Sequence, residues 1–226
     1  MTVSQSLTDI QAEMKQACEK VGRQLDEITI IGVTKYVTIE RTKELIATGV
    51  RDVGENRAEG LLEKYEAIGD DARWHFIGTL QSRKVKDVID QVHMIHSLDR
   101  LSVAKQINNR SERVIDCFVQ VNVSGEASKH GLEPEDLQSF IDDLAQYEKV
   151  RVVGLMTMAP HIEDQAALRQ VFRRLRTLRD EIKERQLDHA PCHYLSMGMS
   201  NDFPLAIEEG ATHIRIGTRL VGNEKE

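Results

Sequence analysis

The chain alternates short apolar segments with amphipathic segments eight times, and this alternation restricts its fold more than any other feature. Each apolar segment has the length and composition of a buried strand, and each segment after it repeats apolar residues at helical spacing. We predict strands at residues 28–35, 50–53, 74–77, 93–96, 114–123, 150–156, 192–195 and 213–216. An additional amphipathic helix, at residues 4–24, precedes the first strand and can end at Gly22.

Strands that alternate with helices form a parallel sheet, and eight such units match a closed (β/α)8 barrel. The alternative is an open, doubly wound sheet. That fold usually carries a glycine-rich turn after its first strand, whereas here Lys35, Tyr36 and Val37 occupy this turn. Neither a linker nor a low-complexity segment interrupts the pattern, so we expect one domain over residues 1–226.

Composition is typical of a globular protein of the cytoplasm. The 226 residues are 40% hydrophobic and 30% charged, and the net charge of -7 argues against non-specific nucleic-acid binding. The N-terminus lacks the pattern of a signal peptide, and no apolar run is long enough for a membrane span. Three widely separated cysteines indicate a reducing compartment. The charge balance favours a monomer.

Lys35 is the most informative residue, because it lies where the first buried strand ends. A lysine amine that is partly shielded from water is the usual group that forms Schiff bases with carbonyl compounds. The alternative is a lysine whose stem covers apolar surface while its amine reaches water. In a closed barrel the first and eighth strands are neighbours, so Lys35 is expected to lie close to the loops after strands seven and eight.

Those two loops carry residues suited to binding an anion, at the place where such barrels often bind phosphate. Ser196 and Ser200 flank a glycine after strand seven, and Gly217 and Thr218 follow strand eight. Alternatively, Ser200 is only a helix N-cap and Gly217 only part of a turn. A reactive lysine beside a phosphate site predicts a phosphorylated aldehyde as ligand, either pyridoxal 5'-phosphate (PLP) or a sugar phosphate.

Two further residues are candidates for contact with such a ligand. Arg215 could meet a pyridine nitrogen and, because a guanidinium keeps its protons, would leave that nitrogen unprotonated; the alternative is an ion pair across the barrel mouth. Asn56 follows strand two and either reaches the ligand ring or caps the next helix. His161 is a weaker candidate at the mouth, and His75 and His96 are expected to be hydrogen-bonded core residues.

Seven motifs in order resemble those of the pyridoxal phosphate homeostasis proteins, the YggS/PROSC family. They are GVTK at 32–35, GEN at 54–56, WHFIGTLQ at 74–81, QVNVSGEASKHG at 120–131, GLMTM at 154–158, SMGMSND at 196–202 and RIGT at 215–218. The resemblance extends from about residue 28 to residue 222. Arg83 departs from the asparagine that many members carry in the loop after strand three.

The family is similar to the N-terminal barrel of alanine racemase standing alone. The resemblance implies PLP held as a Schiff base on Lys35, with the ring nitrogen facing Arg215 and the ring contacting Asn56. The positions that match the family's phosphate-binding residues are Ser196, Ser200, Gly217 and Thr218.

Alanine racemase completes its substrate site with a second domain, which this chain is expected to lack. The resemblance therefore implies a carrier or regulator of intracellular PLP, with PLP-dependent enzymes as recipients and no established catalysis. The alternatives are an amino-acid racemase or a related weak PLP enzyme and, more distantly, a sugar-phosphate aldolase or isomerase.

Overall fold

The computed structural model, which describes residues 2–125, 130–160 and 162–223, contains a closed eight-stranded parallel barrel. The strands are β1 (Thr29–Val33), β2 (Asp52–Glu55), β3 (Arg73–Phe76), β4 (Met94–Leu98), β5 (Ile115–Gln120), β6 (Val150–Met156), β7 (Tyr194–Met199) and β8 (His213–Ile216). Each strand pairs with the next, and β8 pairs with β1. The predicted (β/α)8 barrel is therefore confirmed, and the open sheet is excluded.

Helices surround the barrel and cover its outer face. They are α1 (Val3–Val21), α2 (Ile39–Ala47), α3 (Ala58–Ile68), α4 (Val85–Val88), α5 (Leu101–Arg110), α6 (Leu137–Leu144), α7 (Gln165–Glu184), α8 (Phe203–Glu208) and α9 (Thr218–Val221). Short 3-10 turns precede α4 and α6, at Ser82–Lys84 and Pro134–Asp136. Most buried apolar residues lie between this helical layer and the strands.

The extra N-terminal helix ends where the sequence predicts. Gly22 adopts φ 69°, a left-handed conformation that glycine accepts without steric cost, and its N–H closes the last turn of α1. The helix packs against α8, α9 and α2. Helix α1 thereby joins the helices that follow β1, β7 and β8.

The interior of the barrel contains polar side chains as well as apolar ones. Phe118, Val153 and Met156 form a small separate apolar cluster there, and the imidazole of His96 stacks on Phe118 with ring centroids 4.3 Å apart. His75 and His213 are also buried. A barrel interior of this kind needs hydrogen-bond partners for every buried polar atom.

One predicted boundary is wrong in a way that matters for the site. We predicted that strand seven ends at residue 195 and that a helix begins at Ser200, but β7 continues to Met199 and α8 begins at Phe203. The strand is longer because Ser196 pairs with His213 and Met199 with Arg215 across a register shift. The small and flexible residues of 196–199 conceal this pairing in the sequence.

No helix among the described residues is both long and apolar enough to cross a membrane.

Candidate functional site

A cavity of about 730 Å³ opens at the C-terminal ends of the strands. Its walls come from the ends of β1, β2, β3, β5, β6, β7 and β8 and the segments that follow them, as expected for the binding face of such a barrel. Six of the seven predicted site residues line it: Lys35, Asn56, Ser200, Arg215, Gly217 and Thr218. One cavity thus collects an amine, a guanidinium, an amide and two hydroxyl groups.

Lys35 lies two residues beyond β1, with its side chain in the cavity wall. It is partly buried, and its Nζ lies 4.8 Å from the centroid of the Tyr36 ring, a cation–π distance. The amine of Lys35 thus lies at the cavity wall against an exposed aromatic ring.

A buried ion pair beneath Lys35 fixes the backbone from which it projects. Lys64 Nζ donates to Glu55 Oε1 at 2.6 Å and to the Thr34 carbonyl at 2.5 Å, and the Thr34 hydroxyl donates to the same Glu55 oxygen at 2.7 Å. Lys64 is only 6% exposed and Glu55 2%. The pair was not predicted, because Lys64 lies in the middle of α3, where a lysine normally faces solvent.

The two loops predicted to bind an anion meet in the cavity; α9 begins at Thr218, whereas α8 does not begin at Ser200. Ser200 precedes α8 by three residues and its carbonyl accepts from Arg219 Nη1 at 3.0 Å, so it is not the helix N-cap. The Thr218 hydroxyl lies 3.1 Å from Asn223 Oδ1. At Gly217 an added Cβ would meet nothing closer than 3.6 Å, so packing does not require glycine there, and the bare backbone leaves space in the cavity.

Arg215 lines the cavity while remaining almost completely buried, with 5% exposure. Its Nη1 donates to Ser196 Oγ at 2.7 Å and its Nη2 to the Thr157 carbonyl at 2.9 Å. Burial lowers the pKa of Arg215 to about 10, although the negative charge of Asp202 acts in the opposite direction. The guanidinium is still protonated at neutral pH, so it can only donate hydrogen bonds to a ligand.

Ser196 is placed differently from the prediction. It lies inside β7 rather than in a loop, is fully buried, and is not among the described residues that line the cavity. Its hydroxyl joins Arg215 to His96 Nδ1, 2.8 Å away. The placement of Ser196 in the anion-binding loop is therefore corrected: its described contacts are with Arg215 and His96.

Asn56 follows β2 directly and lines the cavity. The N-cap of α3 is Arg57, so the interpretation of Asn56 as a helix cap is wrong. Gly78 lies against the Asn56 backbone, where an added Cβ would come within 2.2 Å of the carbonyl oxygen. Close approach of these two segments therefore fixes the position of Asn56 at the cavity wall.

The remaining candidates have simpler roles. His75 and His96 are hydrogen-bonded in the core, as predicted. The ring of His189 hydrogen-bonds to the Ile141 carbonyl at 3.0 Å, and the part of the chain that the structure describes holds no group of three or more potential metal ligands. His161 and residues 126–129 of the motif at 120–131 lie outside the described residues.

Comparisons with known proteins agree with this geometry. The family model of the alanine racemase N-terminal domain matches residues 7–225. The chain is 43% identical to the pyridoxal phosphate homeostasis protein of Aquifex aeolicus over the whole of both chains. It is 35% identical to that of Pseudomonas aeruginosa, covering 98% of this chain and 95% of the relative. PipY of Synechococcus elongatus, solved with PLP bound, is 30% identical, superposes with a TM-score of 0.85, and is matched over 98% of this chain and 100% of that one.

Proposed function

Because the chain belongs to the pyridoxal phosphate homeostasis proteins, whose barrel is the alanine racemase N-terminal domain, we propose that it binds PLP in the described cavity. Its role is to hold the cofactor reversibly and so take part in intracellular PLP homeostasis, without catalysing a reaction of its own. The observation that carries the proposal is that Lys35, Arg215 and the Ser200 and Gly217 loops line a single cavity.

The donor set fits each part of the cofactor. When bound, PLP offers an aldehyde that condenses with a primary amine, and Lys35 supplies that amine. Ser200, Gly217 and Thr218 would hold the phosphate through hydroxyl and backbone donors. Arg215 would face the pyridine nitrogen as a donor and so keep it unprotonated, which weakens the ring as an electron sink. Asn56 would contact the ring, and Ser196 would hold the guanidinium of Arg215 in position.

A weak electron sink favours storage over catalysis. Proton removal from an amino acid bound to PLP depends on a ring that accepts the resulting charge, and an arginine at the nitrogen opposes this. The relatives named above are homeostasis proteins, which agrees with a carrier. We further propose a monomeric, single-domain protein of the cytoplasm that delivers PLP to PLP-dependent enzymes. Three free, buried cysteines support a reducing compartment.

Borohydride trapping tests this function directly. The purified protein is incubated with PLP, reduced, and digested for peptide mapping by mass spectrometry. We expect one pyridoxyl group, on Lys35, in the wild type and none on that peptide in Lys35→Arg, which keeps the charge but cannot form the covalent bond. Lys43→Arg, on the exposed surface of α2, is the matched control and should be labelled like the wild type.

Two outcomes would reject the proposal. Labelling scattered over surface lysines would mean that the cavity does not select the cofactor. Sustained interconversion of L- and D-alanine by the PLP-loaded wild type, lost in Lys35→Arg, would favour the racemase instead of the carrier.

A further inference from the structure

Five polar side chains form a continuous hydrogen-bonded chain through the interior of the barrel. It runs from Arg215 through Ser196, His96 and His75 to Asp52. The successive donor–acceptor distances are 2.7, 2.8, 2.9 and 2.9 Å. The three middle members, Ser196, His96 and His75, are each at most 1% exposed to solvent. We refer to these five residues as the interior chain.

The interior chain connects the two ends of the barrel. Arg215 is close to the C-terminal end of β8 and lines the cavity. Asp52 is the first residue of β2, at the opposite end, where it also pairs with the half-exposed Arg73 of β3. The three residues between Arg215 and Asp52 belong to β7, β4 and β3, so the interior chain crosses the barrel from one end to the other.

The chemistry of the two end residues fixes the direction in which hydrogen bonds are donated along the interior chain. A guanidinium only donates hydrogen bonds, and a carboxylate only accepts them. With both imidazoles neutral, the Ser196 hydroxyl must donate to His96 Nδ1, His96 Nε2–H to His75 Nδ1, and His75 Nε2–H to Asp52 Oδ1. Both histidines are thereby fixed as Nε2–H tautomers, and reversing any one bond would leave two donors or two acceptors facing each other.

The charges of the neighbouring groups agree with this arrangement. Burial is the main reason that the pKa of His96 lies well below its usual value, and any positive charge on His75, His213 or Arg215 acts in the same direction, so this ring is neutral. Burial raises the pKa of Asp52, but the hydrogen bond from His75 and the charge of Arg73 outweigh it, and the carboxyl is ionised. A full negative charge therefore stands at the end of the chain opposite the guanidinium.

We propose that Asp52, His75 and His96 are positioning residues for Arg215, and that through Ser196 they hold its guanidinium as a fixed hydrogen-bond donor toward the ring nitrogen of the ligand. This inference rests on the proposed function, because it requires a heteroaromatic ring nitrogen in the cavity. The chain transmits polarisation rather than protons, since the guanidinium at its upper end does not release one at neutral pH.

The direction of the chain is measured first, on protein without PLP. Long-range 1H–15N correlation spectra of histidine-labelled protein distinguish the two neutral tautomers and the imidazolium. At pH 7 we expect Nε2–H tautomers for both His75 and His96, assigned from His75→Gln and His96→Gln. An Nδ1–H tautomer or an imidazolium at either position would overturn the proposal, whether or not the cavity binds PLP.

The effect on the cavity is measured next, with Asp52→Asn. This change removes the charge but keeps an acceptor and the size of the side chain. Asp116→Asn is the matched control. Asp116 also lies near the start of a strand and pairs with an arginine of the neighbouring strand, Arg151, but it does not belong to the interior chain. His75→Gln, which breaks the middle of the chain, serves as a second test should Asp52→Asn not fold.

We expect Asp52→Asn to raise the Kd for PLP between about threefold and tenfold and to shift the absorbance band of the bound cofactor, while Asp116→Asn changes neither. A purely structural role would lower the melting temperature and leave the absorbance band in place, and that result would overturn the proposal. If the wild type itself gives no cofactor band, the proposed function fails. The histidine tautomers measured without PLP still test the direction of hydrogen bonding in the interior chain.

Discussion

Acid should destabilise this protein at a pH where most globular proteins are still stable, because of two buried histidines. Burial lowers the pKa of His213 to about 3 and holds the pKa of His96 well below the ordinary value for a histidine. Above pH 6.5 both rings are neutral in the folded and the unfolded chain, so they add no pH dependence. Below it the unfolded chain takes up protons that the folded chain cannot, and unfolding becomes more favourable as the pH falls.

The size of the effect follows from proton linkage. Between pH 7 and pH 5, a histidine with a pKa near 6.5 in the unfolded chain and far below 5 in the folded chain reduces the free energy of unfolding by about 2 kcal/mol. His213 alone accounts for about 2 kcal/mol, and His96 adds to the loss in the same direction; a typical domain is held together by only about 5–15 kcal/mol. Carboxylates with a lowered pKa, such as Asp52 and Glu209, lose their contribution only at lower pH.

Urea unfolding, followed by circular dichroism at pH 7, 6 and 5 and constant ionic strength, measures this loss in the PLP-free protein. His213→Gln should reduce the loss by about 2 kcal/mol, since this ring no longer titrates. His193→Gln changes an exposed histidine directly before β7 and is the control. A wild-type loss below about 1 kcal/mol, or an equal loss in His213→Gln, would refute the reasoning.

Two further predictions concern the walls of the cavity. Lys64→Met should lower the free energy of unfolding by about 3 kcal/mol, because Glu55 stays buried without its cation, and should weaken PLP retention by releasing the backbone at Thr34. The double variant Lys64→Met/Glu55→Leu should recover most of the stability, because no unpaired charge stays buried. A double variant as unstable as Lys64→Met would contradict this interpretation of the ion pair. Gly78→Ala should displace the Asn56 backbone, which a Cβ would approach to 2.2 Å, and weaken PLP binding in an absorbance titration; unchanged affinity would show that this contact does not shape the site.

The sequence predicts the barrel well because alternation of strand and helix is a local property repeated eight times. The bounds of β6 and β8 match the prediction. The Thr38 side chain caps α2 by accepting from the Arg41 N–H, a role that threonine before a helix commonly has. The position of Lys35 at the end of a buried strand was also sufficient to place it in the cavity. These features depend on short stretches of sequence and on the general geometry of barrels.

The interior of the barrel could not be predicted in the same way. Which residues of neighbouring strands meet depends on register, and the shift between β7 and β8 that buries Ser196 leaves no mark in a single sequence. Likewise, His75 and His96 could be expected to be hydrogen-bonded, but not to each other. The Lys64–Glu55 pair combines residues of a helix and a strand, and each of the two looks like an ordinary surface residue when read alone.

Helix α1 also has a consequence for how the protein is made. Its apolar face packs on α8, α9 and α2, so two of its three partners are synthesised about 180 residues or more after it. Until then Leu7, Ile10 and Met14 stay uncovered, and β1 waits equally long for β8. Barrel closure thus depends on contacts between segments far apart in sequence, β1 with β8 and α1 with α8 and α9, and contacts of this kind form late in folding.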